Sequence, residues 1–142
     1  MVSYLKDSKY LNLKCLSVHI GSQILNHKPY ENMLKVIDKI ISKSNHKFEY
    51  IDLGGGMGID YEHNNSKLNL KKYSKNIQKF LKKNNSKIIF EPGRSIIGNS
   101  AVLVTKILYI KEGYKKDFVI LDAAMNDLMR PALYGAKHRI IP

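Results

Sequence analysis

The chain has 142 residues, 44% of them hydrophobic, which suits one modest domain with a real core and excludes global disorder. Its one cysteine excludes a disulfide framework and favours the cytoplasm, and because no membrane-length apolar run or signal peptide is visible, we expect no membrane partner. The net charge of +12 comes mostly from lysines spread along the chain, which favours a solvated surface over a nucleic-acid partner.

The N-terminal part predicts the end of a helix, up to about Lys9, and then a strand over Leu13–Ile20. Alternation within this strand places apolar side chains on one face and small or polar ones on the other. Such a strand is typical of a closed parallel barrel, with helices outside and the small or polar face inward. The apolar face carries Leu16, Val18 and Ile20, and the opposite face carries Cys15, Ser17 and His19, of which we expect Cys15 to be buried.

Helices and strands then alternate. Apolar residues at helical spacing predict helices over Pro29–Ser44 and Leu70–Lys83, and short apolar runs predict strands over Phe48–Leu53 and Lys87–Phe90. Strands that alternate with helices indicate parallel βαβ units and an α/β fold.

The alternation ends near residues 98–100. Two β-rich runs, Ala101–Ile110 and Phe118–Leu121, follow with only a turn at Gly113 between them, which indicates the start of a mostly antiparallel β domain. We therefore divide the chain into residues 1–99 and 100–142. Since a barrel needs about eight strands, the first part is expected to be the last three strands of a TIM-like (β/α)8 barrel. The final run, His138–Pro142, resembles an interrupted strand, so we expect a piece of a longer enzyme.

Three short motifs stand where the three predicted parallel strands end: His19–Gln23, Gly54–Gly58 and Glu91–Arg94. The carboxyl ends of strands are where α/β folds bind ligands, and the last two loops of a barrel commonly hold phosphate. Glycines let the backbone approach a phosphate, and an arginine can bind one with two hydrogen bonds. The motifs together predict a phosphate site, although a tight turn explains the glycine run alone equally well.

Two side chains in these motifs suit a flat ring beside the phosphate. His19 is either a core residue or a side chain that lies flat against a planar cofactor. Glu91 either pairs with Arg94 or keeps a heterocyclic nitrogen protonated. Phosphate, flat ring and ring nitrogen are the parts of pyridoxal phosphate, and no metal site is predicted.

The three motifs resemble the fold-type III, alanine-racemase-like pyridoxal phosphate decarboxylases, and Asp122–Tyr134 is similar to their diaminopimelate decarboxylase branch. The resemblance implies a cytoplasmic homodimer that uses pyridoxal phosphate to convert meso-diaminopimelate to L-lysine and CO2. It implies catalytic roles for His19, stacked on the ring, and for Glu91, at the pyridine nitrogen. It further implies cofactor binding by His19, Ser22, Gly54, Gly55, Gly56, Glu91, Pro92, Gly93 and Arg94, and binding of the distal substrate carboxylate by Arg94, Arg130 and Tyr134.

The resemblance also implies functional residues of the family to which none of the 142 residues corresponds. The family's Schiff-base lysine lies on the first barrel strand in a Tyr-x-x-Lys-Ala-like context, and its catalytic cysteine and a late tyrosine lie in the C-terminal β domain. Cys15 precedes His19 and is not that thiol. We therefore expect the isolated chain to be inactive and, with unpaired strand edges, poorly soluble.

Other functions stay open at this point. Decarboxylases of the same fold that act on ornithine, arginine or carboxynorspermidine are the nearest alternative. Arg130 and Tyr134 favour a carboxylate-ended substrate, although the same pair suits an ordinary surface contact. An alanine racemase would have arginine in place of Glu91. A non-catalytic truncated remnant and a basic nucleic-acid binder are alternatives of other classes.

Overall fold

The computed structural model describes residues 2–62, 64 and 66–142, which fall into two compact units. The first unit contains the described residues within 1–60 and 65–98, and the second those within 61–64 and 99–142.

The first unit is built on a parallel sheet of three strands in the order β1-β2-β3: β1 (Cys15–Ser17), β2 (Tyr50–Asp52) and β3 (Lys87–Ile89). Ile51 of the central strand is completely buried. The strands are shorter than predicted because pairing on both sides of β2 spans only three residues in each register. The prediction of an α/β fold is confirmed.

Helices connect the strands, and two of them cover one face of the sheet. Asn26 caps α2 by accepting a hydrogen bond from the Lys28 N–H (2.9 Å), and Asn69 caps α3 through the Lys72 N–H (3.0 Å). No helix in the described part of the chain is long and apolar enough to cross a bilayer. The helices of this unit are α1 (Val2–Lys6), α2 (His27–Ser44), α3 (Leu70–Asn84) and α4 (Arg94–Ile97).

The core lies between these helices and the sheet. The apolar stripes predicted for α2 and α3 supply most of it, although Leu70 at the start of α3 is largely exposed. Its buried side chains are Tyr30, Met33, Leu34, Ile37, Phe48, Ile51, Leu53, Tyr73, Ile77 and Phe80.

The face of β1 opposite the core is open in the described residues. Leu16 and Val18 pack against the core as predicted. Cys15 is exposed, so the prediction that it is buried was wrong. The reason is that α2 and α3 cover the face to which Leu16 points, and side chains alternate along a strand.

The second unit contains an antiparallel pair, β4 (Ile107–Lys111) and β5 (Phe118–Leu121), and the short helix α5 (Arg130–Tyr134). Residues 101–106 and 138–142 are not strands, which corrects the prediction for both runs: β-rich composition does not form a strand without a partner. No side chain among the described residues of this unit is fully buried.

Candidate functional site

The three loops that follow the parallel strands meet at one edge of the sheet. The Glu91 N–H donates to the Gly54 carbonyl (2.9 Å), and the Ile24 N–H donates to the Gly56 carbonyl (2.9 Å). The Gly58 N–H returns a bond to the Ile24 carbonyl at 3.1 Å. The structure therefore brings together all three motifs that the sequence places at strand ends.

Glycine is required in the middle loop because neighbouring backbone comes too close for a side chain. A Cβ on Gly55 would lie 2.0 Å from the carbonyl oxygen of Glu91, and one on Gly56 would lie 2.1 Å from that of Gly21. Gly56 also has a φ of +84°, which disfavours any other residue. The glycine run thus seats the middle loop directly against both of its neighbours.

Two side chains that sequence analysis missed hold this glycine loop. Asp52 accepts hydrogen bonds from the Gly54 N–H (2.8 Å) and from the Ser17 hydroxyl (3.0 Å). The buried Tyr30 hydroxyl donates to the Gly55 carbonyl at 3.1 Å. An aspartate two residues before a glycine run is a signal for an Asx turn, but nothing in the local sequence points from helix α2 to Gly55.

The imidazole of His19 is oriented by the same loop. Its Nδ1 accepts a hydrogen bond from the Gly55 N–H at 3.4 Å. Nδ1 is therefore the ring nitrogen that faces the glycine loop. His19 is exposed, which excludes the alternative that it is a core residue.

Two polar side chains at this edge have hydrogen-bonding groups that a ligand could use. Neither the Ser22 hydroxyl nor the Glu91 carboxylate has a hydrogen bond or ion pair within the described ranges. Both residues are exposed. The alternative of a structural Glu91–Arg94 ion pair is therefore not what the structure shows.

Arg94, the first residue of α4, is held by a residue that sequence analysis did not assign. Its Nη1 donates to the Gln23 side-chain oxygen at 3.0 Å. The Gln23 amide also bonds the backbone of Ile59, donating to its carbonyl (2.6 Å) and accepting from its N–H (3.3 Å). Gln23 thus connects Arg94 to the first two loops.

The space beside Arg94 is open. Gly93 follows Pro92 in the third loop, and its N–H donates to the Glu91 carbonyl at 2.9 Å. A Cβ on Gly93 would meet no atom within 4 Å. Substitution there would therefore fill empty space, in contrast to Gly55.

The groups at this edge fit pyridoxal phosphate. A guanidinium, a hydroxyl and the Gly56 N–H, which has no acceptor in the described part of the chain, are donors that suit a phosphate. The Glu91 carboxylate suits a protonated ring nitrogen. Among residues 2–62, 64 and 66–142, no three histidine, cysteine, aspartate or glutamate side chains lie close enough together to hold a metal ion.

The predicted substrate residues Arg130 and Tyr134 lie in the second unit. They are the first and last residues of α5, and the Arg130 guanidinium carbon lies 5.0 Å from the centroid of the Tyr134 ring. Both side chains are exposed. Their contact is a cation–π pair within one turn of helix, and their role toward a substrate stays a prediction.

Comparison with known proteins supports the cofactor. Residues 2–98 match the family model for the pyridoxal-binding domain of pyridoxal-dependent decarboxylases. The diaminopimelate decarboxylase of Zymomonas mobilis is 44% identical over 97% of this chain and 34% of its own length, and that of Aquifex aeolicus is 41% identical over 95% and 33%. The chain spans about a third of the length of these relatives.

A solved structure is similar over nearly the whole chain. A diaminopimelate decarboxylase variant of Helicobacter pylori, crystallised with L-lysine, matches with a TM-score of 0.87 and 38% identity, over 97% of this chain and 35% of that one. All three strand-end loops lie within the residues that match the pyridoxal-binding domain. The cofactor of this domain is pyridoxal phosphate, and the chain belongs to the family of pyridoxal-dependent decarboxylases.

Proposed function

We propose that the chain forms part of a decarboxylase that uses pyridoxal phosphate to convert meso-diaminopimelate to L-lysine and CO2. The observation that carries the proposal is the meeting of three loops around Arg94, Glu91 and His19 within the matched pyridoxal-binding domain. The substrate follows from the relatives, which are named diaminopimelate decarboxylases at about 40% identity, one of them crystallised with L-lysine.

The phosphate would be bound beside Gly93, where open space lies next to hydrogen-bond donors. Arg94 supplies a cation, Ser22 a hydroxyl and Gly56 a backbone N–H, while Gly93 leaves room for the oxygens. A guanidinium binds phosphate through two parallel hydrogen bonds, which fixes its orientation. Gly54, Gly55 and Pro92 shape the loops that carry these groups.

The ring would be held by His19 and Glu91. His19, whose Nδ1 is fixed by the Gly55 N–H, offers an exposed flat face for stacking. The Glu91 carboxylate, which has no partner in the described ranges, would hold a proton at the ring nitrogen. A bound cofactor with a protonated ring nitrogen supplies the electron sink for loss of CO2.

Arg94 of the first unit and the Arg130–Tyr134 pair of the second unit are separate candidates for binding the distal carboxylate of the substrate. An arginine fork matches a carboxylate, whereas an amine-ended substrate such as ornithine calls for an acidic residue. The Tyr134 ring already carries the Arg130 guanidinium on its face, which limits the directions in which that fork can point.

The wider architecture belongs to the same proposal. Strands β1 to β3 would be the last three of a TIM-like barrel, residues 1–99 its partial barrel domain, and residues 100–142 the beginning of a β domain. The whole enzyme would be a cytoplasmic homodimer.

The phosphate site can be tested by titrating the purified chain with pyridoxal phosphate and with pyridoxal, which lacks the phosphate. We expect pyridoxal phosphate to bind at least about tenfold more tightly, because an ion pair to phosphate is lost with pyridoxal. Arg94→Gln should remove the difference, and Arg139→Gln, a matched control, should keep it. Equal binding of both compounds would exclude a phosphate site at these loops.

The substrate can be tested in a chimaera in which residues 1–142 replace the matching third of the Aquifex aeolicus enzyme. The absorbance of bound cofactor reports whether the chimaera has folded. We expect CO2 and lysine from meso-diaminopimelate and no CO2 from ornithine or arginine. A chimaera that binds cofactor and prefers ornithine or arginine would contradict the proposed substrate.

A further inference from the structure

The Gln23 side chain bonds both Arg94 and Ile59 at the edge where the parallel strands end. Its side-chain oxygen accepts hydrogen bonds from the Arg94 guanidinium (3.0 Å) and from the Ile59 N–H (3.3 Å), and its Nε2 donates to the Ile59 carbonyl (2.6 Å). Its amide therefore joins the loop after β1 to the loop after β2 and to the first residue of α4.

The backbone of Gln23 also has an unusual conformation. Its φ is +61°, in the left-handed region that non-glycine residues rarely adopt. Such a conformation persists only where the surroundings fix it, and here the fixed side chain is the one that binds Arg94. Gly58 also lies against it, since a Cβ there would sit 3.0 Å from the Gln23 side-chain oxygen.

A free arginine side chain samples many rotamers, and binding an anion with it costs the entropy of fixing one of them. The hydrogen bond from Arg94 to Gln23 removes part of that freedom before any ligand binds. The two bonds to Ile59 in turn fix the Gln23 amide, so its oxygen faces Arg94 in one orientation.

We propose that Gln23 is a positioning residue of the phosphate site, which holds the Arg94 guanidinium in the orientation that binds the anion. This inference rests on the proposed function for the phosphate role of Arg94, but not for the ordering of the Arg94 side chain.

Affinity for pyridoxal phosphate gives the first test. Gln23→Leu should weaken binding by about tenfold rather than abolish it, because Arg94 has further interactions in the structure. Gln78→Leu, on the exposed side of α3, should leave affinity unchanged. If Gln23 acts through Arg94, the double variant Gln23→Leu/Arg94→Gln should bind no more weakly than Arg94→Gln alone. Additive losses would overturn the positioning role.

The mobility of the Arg94 side chain gives a second test that needs no ligand. The chain has three arginines, so their Nε–H signals can be assigned by substitution and followed by NMR. The Arg94 signal should report a rigid side chain in the unsubstituted protein and a mobile one in Gln23→Leu, with Arg130 and Arg139 unchanged. Gln23→Gly separates side chain from backbone: it relieves the positive φ yet should free Arg94 equally.

The affinity measurement and the NMR measurement distinguish failure of the phosphate site from failure of the Gln23 inference. An ordered Arg94 that Gln23→Leu releases, in a protein that does not prefer pyridoxal phosphate over pyridoxal, would contradict the phosphate site and leave the ordering by Gln23 intact. An Arg94 signal that is equally rigid in Gln23→Leu and in the unsubstituted protein would overturn the inference.

Discussion

Glycine serves opposite purposes at positions 55 and 93. At Gly55 a Cβ would overlap the carbonyl oxygen of Glu91, whereas at Gly93 it would meet nothing. Gly55→Ala is therefore expected to lower the free energy of unfolding by about 2 kcal/mol, because two loops must separate. Gly93→Ala should change it by less than about 1 kcal/mol.

Urea unfolding measures both effects. Pyridoxal phosphate affinity supplies the complementary readout, since Gly93→Ala should weaken binding while leaving the fold intact. A fully stable Gly55→Ala would contradict the close approach of the two loops, and a destabilised Gly93→Ala would contradict the open space at Gly93.

Two tyrosines in the core, whose rings contact each other at a tilt of 55°, differ in the hydrogen bonding of their hydroxyl groups. Their ring centroids lie 4.7 Å apart, and Tyr30 donates to Gly55 while the Tyr73 hydroxyl is buried without a partner in the described part of the chain. Tyr73→Phe should therefore be neutral or stabilising by about 1 kcal/mol at pH 7, whereas Tyr30→Phe should cost about 1 kcal/mol. Parallel urea titrations of the two variants check the opposite signs.

Tyr73 also predicts a pH dependence. Burial, with a smaller contribution from Tyr30, raises the pKa of Tyr73 from 10.0 to about 12. The unfolded chain loses this proton first, so the contribution to stability is complete below about pH 10 and is lost as the pH rises towards 12. Between these limits the protein should lose stability relative to Tyr73→Phe. Parallel pH profiles for the two proteins would contradict the burial of this hydroxyl.

At the residue scale, local sequence predicted the motifs but not the groups that hold them. His19, the glycine run and Glu91–Arg94 follow strand ends directly, which makes them visible as patterns. Gln23 and Tyr30 act on residues 71 and 25 positions away in sequence, so their roles depend on contacts that only the folded chain creates.

At the scale of elements, the same substitution should have opposite effects at the asparagine that caps α3 and at an asparagine inside it. Asn69 caps the helix by accepting a hydrogen bond from the Lys72 N–H, so Asn69→Ala should cost about 1 kcal/mol. Asn76 lies inside the helix, where alanine is the better helix former, so Asn76→Ala should be neutral or gain about 0.5 kcal/mol. Thermal unfolding of both variants tests this, and equal losses would contradict the helix start at Leu70.

Helices were easier to predict than strands for a physical reason. Apolar residues recur at helical spacing along the five turns of α2, and four of them, Tyr30, Met33, Leu34 and Ile37, are buried. A strand exists only through its partners. The run Ala101–Ile110 has the composition of a strand, yet only its end, from Ile107, pairs with β5. Composition cannot show where pairing begins.

At the scale of the whole molecule, burial is concentrated in the first unit. Every buried hydrophobic side chain in the described ranges lies between Tyr30 and Phe80, while β4 and β5 keep most side chains largely exposed. Local stability follows burial, so amide hydrogens of α2, β2 and α3 should exchange with solvent at least about 100-fold more slowly than those of residues 101–142. Hydrogen exchange read by mass spectrometry on the intact chain measures this, and uniform protection would contradict it.

The contact of Gly55 and Gly56 with neighbouring carbonyls has a consequence for how this site can change. At these close approaches the loops contact one another through peptide groups, which every residue type carries. The side chains mounted beside these contacts, such as His19 and Glu91, are exposed. Substitutions of those side chains can therefore alter what is bound while the backbone beneath them stays in place, which allows one scaffold to acquire new specificities.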